Sequence, residues 1–86
     1  MKTVMVTGGA GFIGSNLVRL LLSTGEYRVV VVDKLTYAGN RASLADCEGR
    51  NGFVFDTVDL CDASAVQRLF VTHQPQAIMH LAAESH

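Results

Sequence analysis

The sequence predicts an α/β fold, four strands of a doubly wound parallel sheet, on three observations. Strand-like apolar runs alternate with segments of helical period along the chain, the pattern of a parallel sheet with right-handed crossovers. The valines at positions 29–32 are unbroken rather than alternating, which suits a strand covered on both faces. A glycine-rich turn separates the first strand-like run from the first helical one.

Each element has its own warrant. Residues 2–6 form a short, largely apolar stretch rich in β-branched side chains and followed by Thr7-Gly8-Gly9, so they read as a buried strand and a turn. From Ile13 the period changes. Ile13, Leu17, Val18, Leu20, Leu21 and Leu22 recur at spacings of three and four, a helix with a broad apolar face and Arg19 on its polar side. Ser23-Thr24-Gly25 ends it, with Gly25 suited to a left-handed cap. Residues 27–32 form the second strand, closed by Asp33. Residues 35–39 read as a loop, and a short helix follows from Asn40 or Arg41 to Cys47, with Asn40 as its cap. Residues 48–52 are a turn and residues 53–58 a third strand. Asp62 caps a helix over 63–73 whose apolar face is Val66, Leu69 and Phe70, and Pro75 stops it. Residues 77–81 are the fourth strand, and the expected strand order is 3-2-1-4.

Composition narrows the function. The chain has 86 residues, a formal net charge of −1 and 49% hydrophobic side chains, enough for one small domain and too apolar for a disordered segment. The near-balanced charge gives no reason to expect nucleic acid or an anionic membrane as a partner. No apolar run approaches the roughly 20 residues of a membrane span, and the start lacks the pattern of a secretory signal. A cytoplasmic protein is expected. Cys47 and Cys61 make neither a disulfide framework nor a metal site.

The turn after the first strand carries the chemistry. Gly8-x-x-Gly11-x-x-Gly14 sits between a strand and a helix. The first glycine permits the tight turn, the middle one lets backbone approach a pyrophosphate, and the last lets the helix pack close on the sheet. The helix N-terminus then offers amide donors and a positive dipole end to phosphates. Asp33 ends the second strand, nineteen residues past Gly14, where a carboxylate can accept from both ribose hydroxyls of an adenosine. It would repel a 2′-phosphate, which favours NAD over NADP, although Lys34 and Arg41 lie nearby. No Gly-Lys-Ser/Thr opens the helix, so this is not a P-loop. Ligands of such sheets lie along the carboxyl ends of the strands, where residues 7–14, 33–40, 59–62 and 81–86 converge. Asp59 is placed either to touch the adenine or to cap a turn.

At Thr7-Gly8-Gly9-Ala10-Gly11-Phe12-Ile13-Gly14 the sequence resembles the extended short-chain dehydrogenase/reductase family. Val32-Asp33-Lys34-Leu35-Thr36-Tyr37-Ala38-Gly39-Asn40 and His80-Leu81-Ala82-Ala83-Glu84-Ser85-His86 make it similar, within that family, to the amino-terminal quarter of the dTDP-glucose 4,6-dehydratases. The resemblance implies a partial Rossmann fold and NAD as cofactor. It implies that Gly8, Gly11 and Gly14, with the backbone of Phe12 and Ile13, meet the pyrophosphate. Asp33 then holds the adenosine ribose, with Lys34, Leu35 and Thr36 lining the same pocket. Asp59 and Leu60 flank the adenine. Leu81, Ala82, Ala83, Glu84 and Ser85 run under the nicotinamide half, and Ser85 also approaches the sugar nucleotide. The implied reaction converts dTDP-glucose to dTDP-4-keto-6-deoxyglucose: oxidation at sugar carbon 4, loss of water across carbons 5 and 6, and return of the hydride. A homodimeric full-length enzyme is expected.

That reaction needs a base near the sugar hydroxyl, and the family the chain resembles uses a Tyr-x-x-x-Lys pair, whose lysine lowers the tyrosine pKa. Val31 follows Tyr27 by four positions and Arg41 follows Tyr37, so neither tyrosine fits, and the Asp-Glu pair with which the family drives the elimination has no matching position here. The expectation is the cofactor half of a larger enzyme, with no catalytic residue in this chain, and a fourth strand left as an exposed sheet edge that makes the chain poorly folded, aggregation-prone or dimeric. Another sugar-nucleotide epimerase or dehydratase of the superfamily, and a non-catalytic NAD-binding module, remain open. The histidines have plainer readings. His73 ends a helix, where a cation suits the dipole; His80 reads as a core or hydrogen-bonded histidine; and no third ligand is spaced to join His80 and His86 in a metal site.

Overall fold

The computed structural model describes residues 1–8, 12–33 and 41–81. In chain order these form β1 (Lys2–Thr7), α1 (Phe12–Ser23), β2 (Tyr27–Asp33), a 3-10 helix (Arg41–Cys47), β3 (Phe53–Thr57), α2 (Ala63–His73) and β4 (Ala77–His80). The four strands make one sheet ordered β3-β2-β1-β4, every pair parallel. This is the expected α/β architecture. Register runs from Lys2↔Tyr27 to Thr7↔Val32 between β1 and β2, and Thr7 also pairs with His80 of β4.

The two central strands explain the unbroken valines. Side chains alternate across a strand, and here both sides are covered. Val4, Val6, Val29 and Val31 meet Val18, Leu21 and Leu22 of α1 together with Leu44 and Cys47 of the 3-10 helix. On the opposite face, Met5, Val30 and Val32 meet Leu69 of α2.

Helix α1 buries a narrower stripe than its sequence suggests. Gly14, Ser15, Val18, Leu21 and Leu22 face the sheet, whereas Ile13 and Leu20 are 64% and 63% exposed. The buried stripe continues at its N-terminal end through two small residues that an apolar count passes over. Gly25 adopts a φ of 73° beyond the helix end, as its capping role requires. Residues 41–47 form a 3-10 helix rather than an α-helix. Side chains three apart eclipse in that geometry, which places fully buried Leu44 and Cys47 on one side against α1 and the sheet. Burial pushes the Cys47 thiol pKa up. Asn40, its expected cap, lies outside the described residues.

A two-pronged contact ties this segment to α1: Arg19 donates from Nε to Asp46 Oδ2 at 2.9 Å and from a terminal nitrogen to Oδ1 at 3.1 Å. The Arg19 guanidinium holds the Asp46 carboxyl below its ordinary range, and Asp46 raises Arg19 in turn.

Helix α2 has its expected bounds and its expected cap: Asp62 Oδ1 accepts from the Ala65 amide at 3.2 Å. Gln74 closes it in a left-handed conformation, its amide donating to the Phe70 carbonyl. The inner face differs from the sequence reading. Leu69 is its buried residue, Phe70 is 40% exposed, and the place beside Leu69 goes to His73. Val66, Leu69 and His73 follow the i, i+3, i+7 spacing of one helical stripe, while Phe70 lies to its side.

Candidate functional site

The order β3-β2-β1-β4 fixes where a ligand could sit. The chain steps outward from β1 to β2 to β3, then returns through α2 to place β4 on the other side of β1. The strand order reverses between β1 and β4, and in open parallel sheets ligands lie beside such a point, outside the carboxyl ends of the strands.

Hydrogen bonds knit that edge together. After β1, the Gly8 amide donates to the Val32 carbonyl at 2.9 Å, and Gly8 turns with a φ of 76°. Few side chains tolerate that conformation, so the first glycine of the fingerprint has a structural reason. After β3, the Val58 amide donates to the Asp33 carbonyl at 3.1 Å. After β4, the Leu81 amide donates to the Thr7 carbonyl at 2.8 Å. Thr7 Oγ1 and His80 Nδ1 lie 2.6 Å apart, joining β1 and β4 by side chains as well. His80 is thus the hydrogen-bonded histidine its sequence position suggests, though it is exposed rather than in the core.

Of the residues singled out from sequence, the structure brings Gly8, Asp33, Asp59, Leu60 and Leu81 to this carboxyl edge, with the start of α1 at Phe12, Ile13 and Gly14 following the β1 turn. Ile13 is exposed at the start of the helix, and Gly14 is buried. The first turn of α1 holds no acidic side chain to compete for its amides. Asp33 is half-buried at the end of β2, opposite Thr57. Asp59 does cap a turn: Oδ1 accepts from the Cys61 amide and its carbonyl from the Asp62 amide, both at 2.9 Å. Leu60 rides on that turn, exposed. Gly11, Lys34, Leu35, Thr36, Ala82, Ala83, Glu84 and Ser85 lie outside the described residues. Tyr27 sits at the opposite, amino end of β2, paired with Lys2, where it cannot reach this edge.

Sequence reasoning missed one contact near the edge. His73 Nε2 lies 2.8 Å from Asp56 Oδ2, linking α2 to β3. An acid inside the apolar run 53–58 was the available signal. Among the described residues no cluster of three or more His, Cys, Asp or Glu side chains could hold a metal. No described helix is long and apolar enough to cross a membrane.

Comparison with known proteins agrees with this geometry. Residues 5–86 match the family model described as GDP-mannose 4,6 dehydratase. The chain is 59% identical over 83 residues to dTDP-glucose 4,6-dehydratase 1 of Escherichia coli (strain K12), an alignment covering 96% of this chain and 23% of that protein. Its fold superposes with a TM-score of 0.90 on dTDP-glucose 4,6-dehydratase from Bacillus anthracis, crystallised in complex with NAD, at 30% identity over 98% of this chain and 27% of the other. It also superposes with a TM-score of 0.88 on the UDP-Glc/GlcNAc 4-epimerase of Campylobacter jejuni, at 32% identity over 100% of this chain and 26% of that one. The chain therefore spans about a quarter of the length of the proteins it resembles.

Proposed function

The chain belongs to the GDP-mannose 4,6 dehydratase family, and from that membership we propose that it is the amino-terminal, NAD-binding part of a dTDP-glucose 4,6-dehydratase. The observation that carries the proposal is the switch point at the carboxyl edge: Gly8 turns the chain after β1, α1 follows, and Asp33 closes the neighbouring strand. The described residues fit the cofactor. Amides at the start of α1, with no acid beside them, suit a pyrophosphate. Asp33 suits a ribose diol, and Leu60 offers an exposed apolar surface for the adenine. Residues 34–36 would line the adenosine pocket, and residues 81–85 the nicotinamide half, with Ser85 near the sugar.

NAD, when bound, supplies reversible hydride acceptance from the sugar. The chain's own part is to bind and orient it. The acid–base residues of the reaction lie outside these 86 residues in this proposal, because neither tyrosine has a lysine four positions on. The same reading extends to dTDP-glucose as substrate, supported by the 59% identity to a dTDP-glucose 4,6-dehydratase, and to a cytoplasmic, homodimeric full-length enzyme. The superposition on a 4-epimerase keeps a second reading, a sugar-nucleotide epimerase. Formation of a 4-keto-6-deoxy sugar nucleotide by the full-length protein separates the two.

Calorimetric titration tests the cofactor reading. NAD binds at least tenfold more tightly than NADP, and Asp33→Ala weakens NAD by about tenfold or more, the worth of hydrogen bonds to a charged group. Equal affinity for NAD and NADP would overturn it.

A further inference from the structure

We propose that His73 is a positioning residue for the adenosine side of the nucleotide site, acting through Asp56 and the axis of α2. The inference rests on the NAD reading above.

Helix α2 is anchored to the sheet at few points. Leu69 is 6% exposed in the second core cluster, whereas Phe70 and Val71 are 40% and 69% exposed. The next anchor along the inner face is His73, whose side chain is 7% exposed and whose Nε2 donates to Asp56 Oδ2 at 2.8 Å. Its other ring nitrogen, Nδ1, is buried with no hydrogen-bond partner among the described residues. An unpaired buried polar atom is a standing cost, and a leucine in the same place would avoid it. Packing alone therefore does not account for a histidine here. A directed hydrogen bond to Asp56 does, because it fixes the helix in one register on β3.

The amino end of α2 is where that register matters. Asp62 caps the helix, accepting at Oδ1 from the Ala65 amide and at its carbonyl from the Val66 amide. Asp59 holds the preceding turn through the Cys61 and Asp62 amides. The turn that bears Asp59 and Leu60 is thus hydrogen-bonded into the helix and moves with it. Leu69 stands between the two ends, about 6 Å along the axis from His73 and about 10 Å from Asp62 at 1.5 Å per residue. Pivoting about Leu69, a shift of about 1 Å at His73 becomes nearly 2 Å at the cap. Displacements of that size are enough to weaken a positioned contact severely.

The test uses His73→Leu, which fills the space without the bond, and His73→Gln, whose amide can still donate to Asp56. Binding of NAD and of ADP is followed by calorimetry, and backbone exchange by NMR at Cys61 and Ala65 near the turn and at Val29 and Val31 in the sheet. His73→Leu weakens ADP about tenfold and speeds exchange at Cys61 and Ala65 while Val29 and Val31 stay protected. His73→Gln restores most of both. Unchanged ADP affinity in His73→Leu, or equal loss of protection at Val29 and Cys61, overturns the proposal, the latter by showing a role in stability alone. If His73→Leu does not fold, Asp56→Asn replaces it and must give the same pattern in milder form. If the unaltered chain binds neither nucleotide, the NAD reading fails and the ligand part of this proposal falls with it, and the exchange data still decide whether His73 fixes the turn.

Discussion

Leu44 and Leu20 are both leucines in helical segments, yet their truncation should have opposite consequences. Leu44 is fully buried in the 3-10 helix, packed in the cluster that includes Val18, Leu21 and Leu22 of α1. Leu20 lies one residue from that cluster but is 63% exposed. Leu44→Ala loses a buried side chain and leaves a cavity, about 2–5 kcal/mol. Leu20→Ala stays within about 0.5 kcal/mol, as surface substitutions do. A domain of this size has a total stability of only about 4–13 kcal/mol. Each kcal/mol moves its melting point by roughly 4–8 °C, so Leu44→Ala lowers Tm by about 10 °C or more. Urea denaturation and thermal melts followed by circular dichroism measure both. If NAD binds the folded chain, a hundredfold excess over Kd returns about 2.7 kcal/mol and offsets much of the loss. A Leu20→Ala variant as unstable as Leu44→Ala would refute the packing described for α1 and restore the broad apolar face its sequence suggests.

Two further perturbations follow from single contacts. Gly52 has a φ of 94°, and a Cβ there would sit 3.0 Å from the Tyr27 carbonyl oxygen, while at Gly25 a Cβ meets nothing within 4 Å. Both alanine variants carry backbone strain of about 1–2 kcal/mol, but Gly52→Ala also presses on the strand end where Val29 donates to the Gly52 carbonyl at 2.7 Å; equal urea midpoints for the two would contradict the clash. Asp46 titrates below its ordinary range when folded because Arg19 hydrogen-bonds it. Its contribution is present above the unfolded carboxylate pKa and disappears as pH falls through the folded value. Asp46→Asn should therefore be less stable than the parent at neutral pH and converge with it in acid, and a gap that persists at low pH would exclude the Arg19 contact as its source.

Element order, strand order and most boundaries were legible in sequence because they depend on local signals. The valines at 29–32 declared a doubly covered strand, Asp62 and Pro75 bracketed α2, and the glycines located the turn out of β1. What depended on neighbours distant in sequence was not legible. Ile13 and Leu20 fit the helical period as well as Leu21 does, and only the placement of the sheet decides which are covered. A short apolar segment such as 41–47 does not reveal whether it winds with three or 3.6 residues per turn until Leu44 and Cys47 have a shared surface to meet. His73 read as a dipole partner because Asp56, seventeen positions away, has no periodic relation to it. In the candidate site, the glycine turn and Asp33 were visible from spacing, whereas the Thr7–His80 link depends on the register of β4 against β1, which no spacing in the sequence gives.

The adjacency of β1 and β4 also bears on the order of folding. Strands up to β3 pair across shorter stretches of chain, but the Thr3–Gln76 and Thr7–His80 hydrogen bonds that tie β1 to the β4 segment join residues 73 positions apart. Closing so long a loop is entropically slower than closing the shorter crossovers that pair β1 with β2 and β2 with β3. On this reasoning β4 docks last, and its arrival completes the carboxyl edge beside β1. A ligand spanning the edge of β1 and β4 then meets its full site only in the finished sheet, so the rate at which refolding chains regain full affinity reports the docking of β4 rather than the appearance of helix.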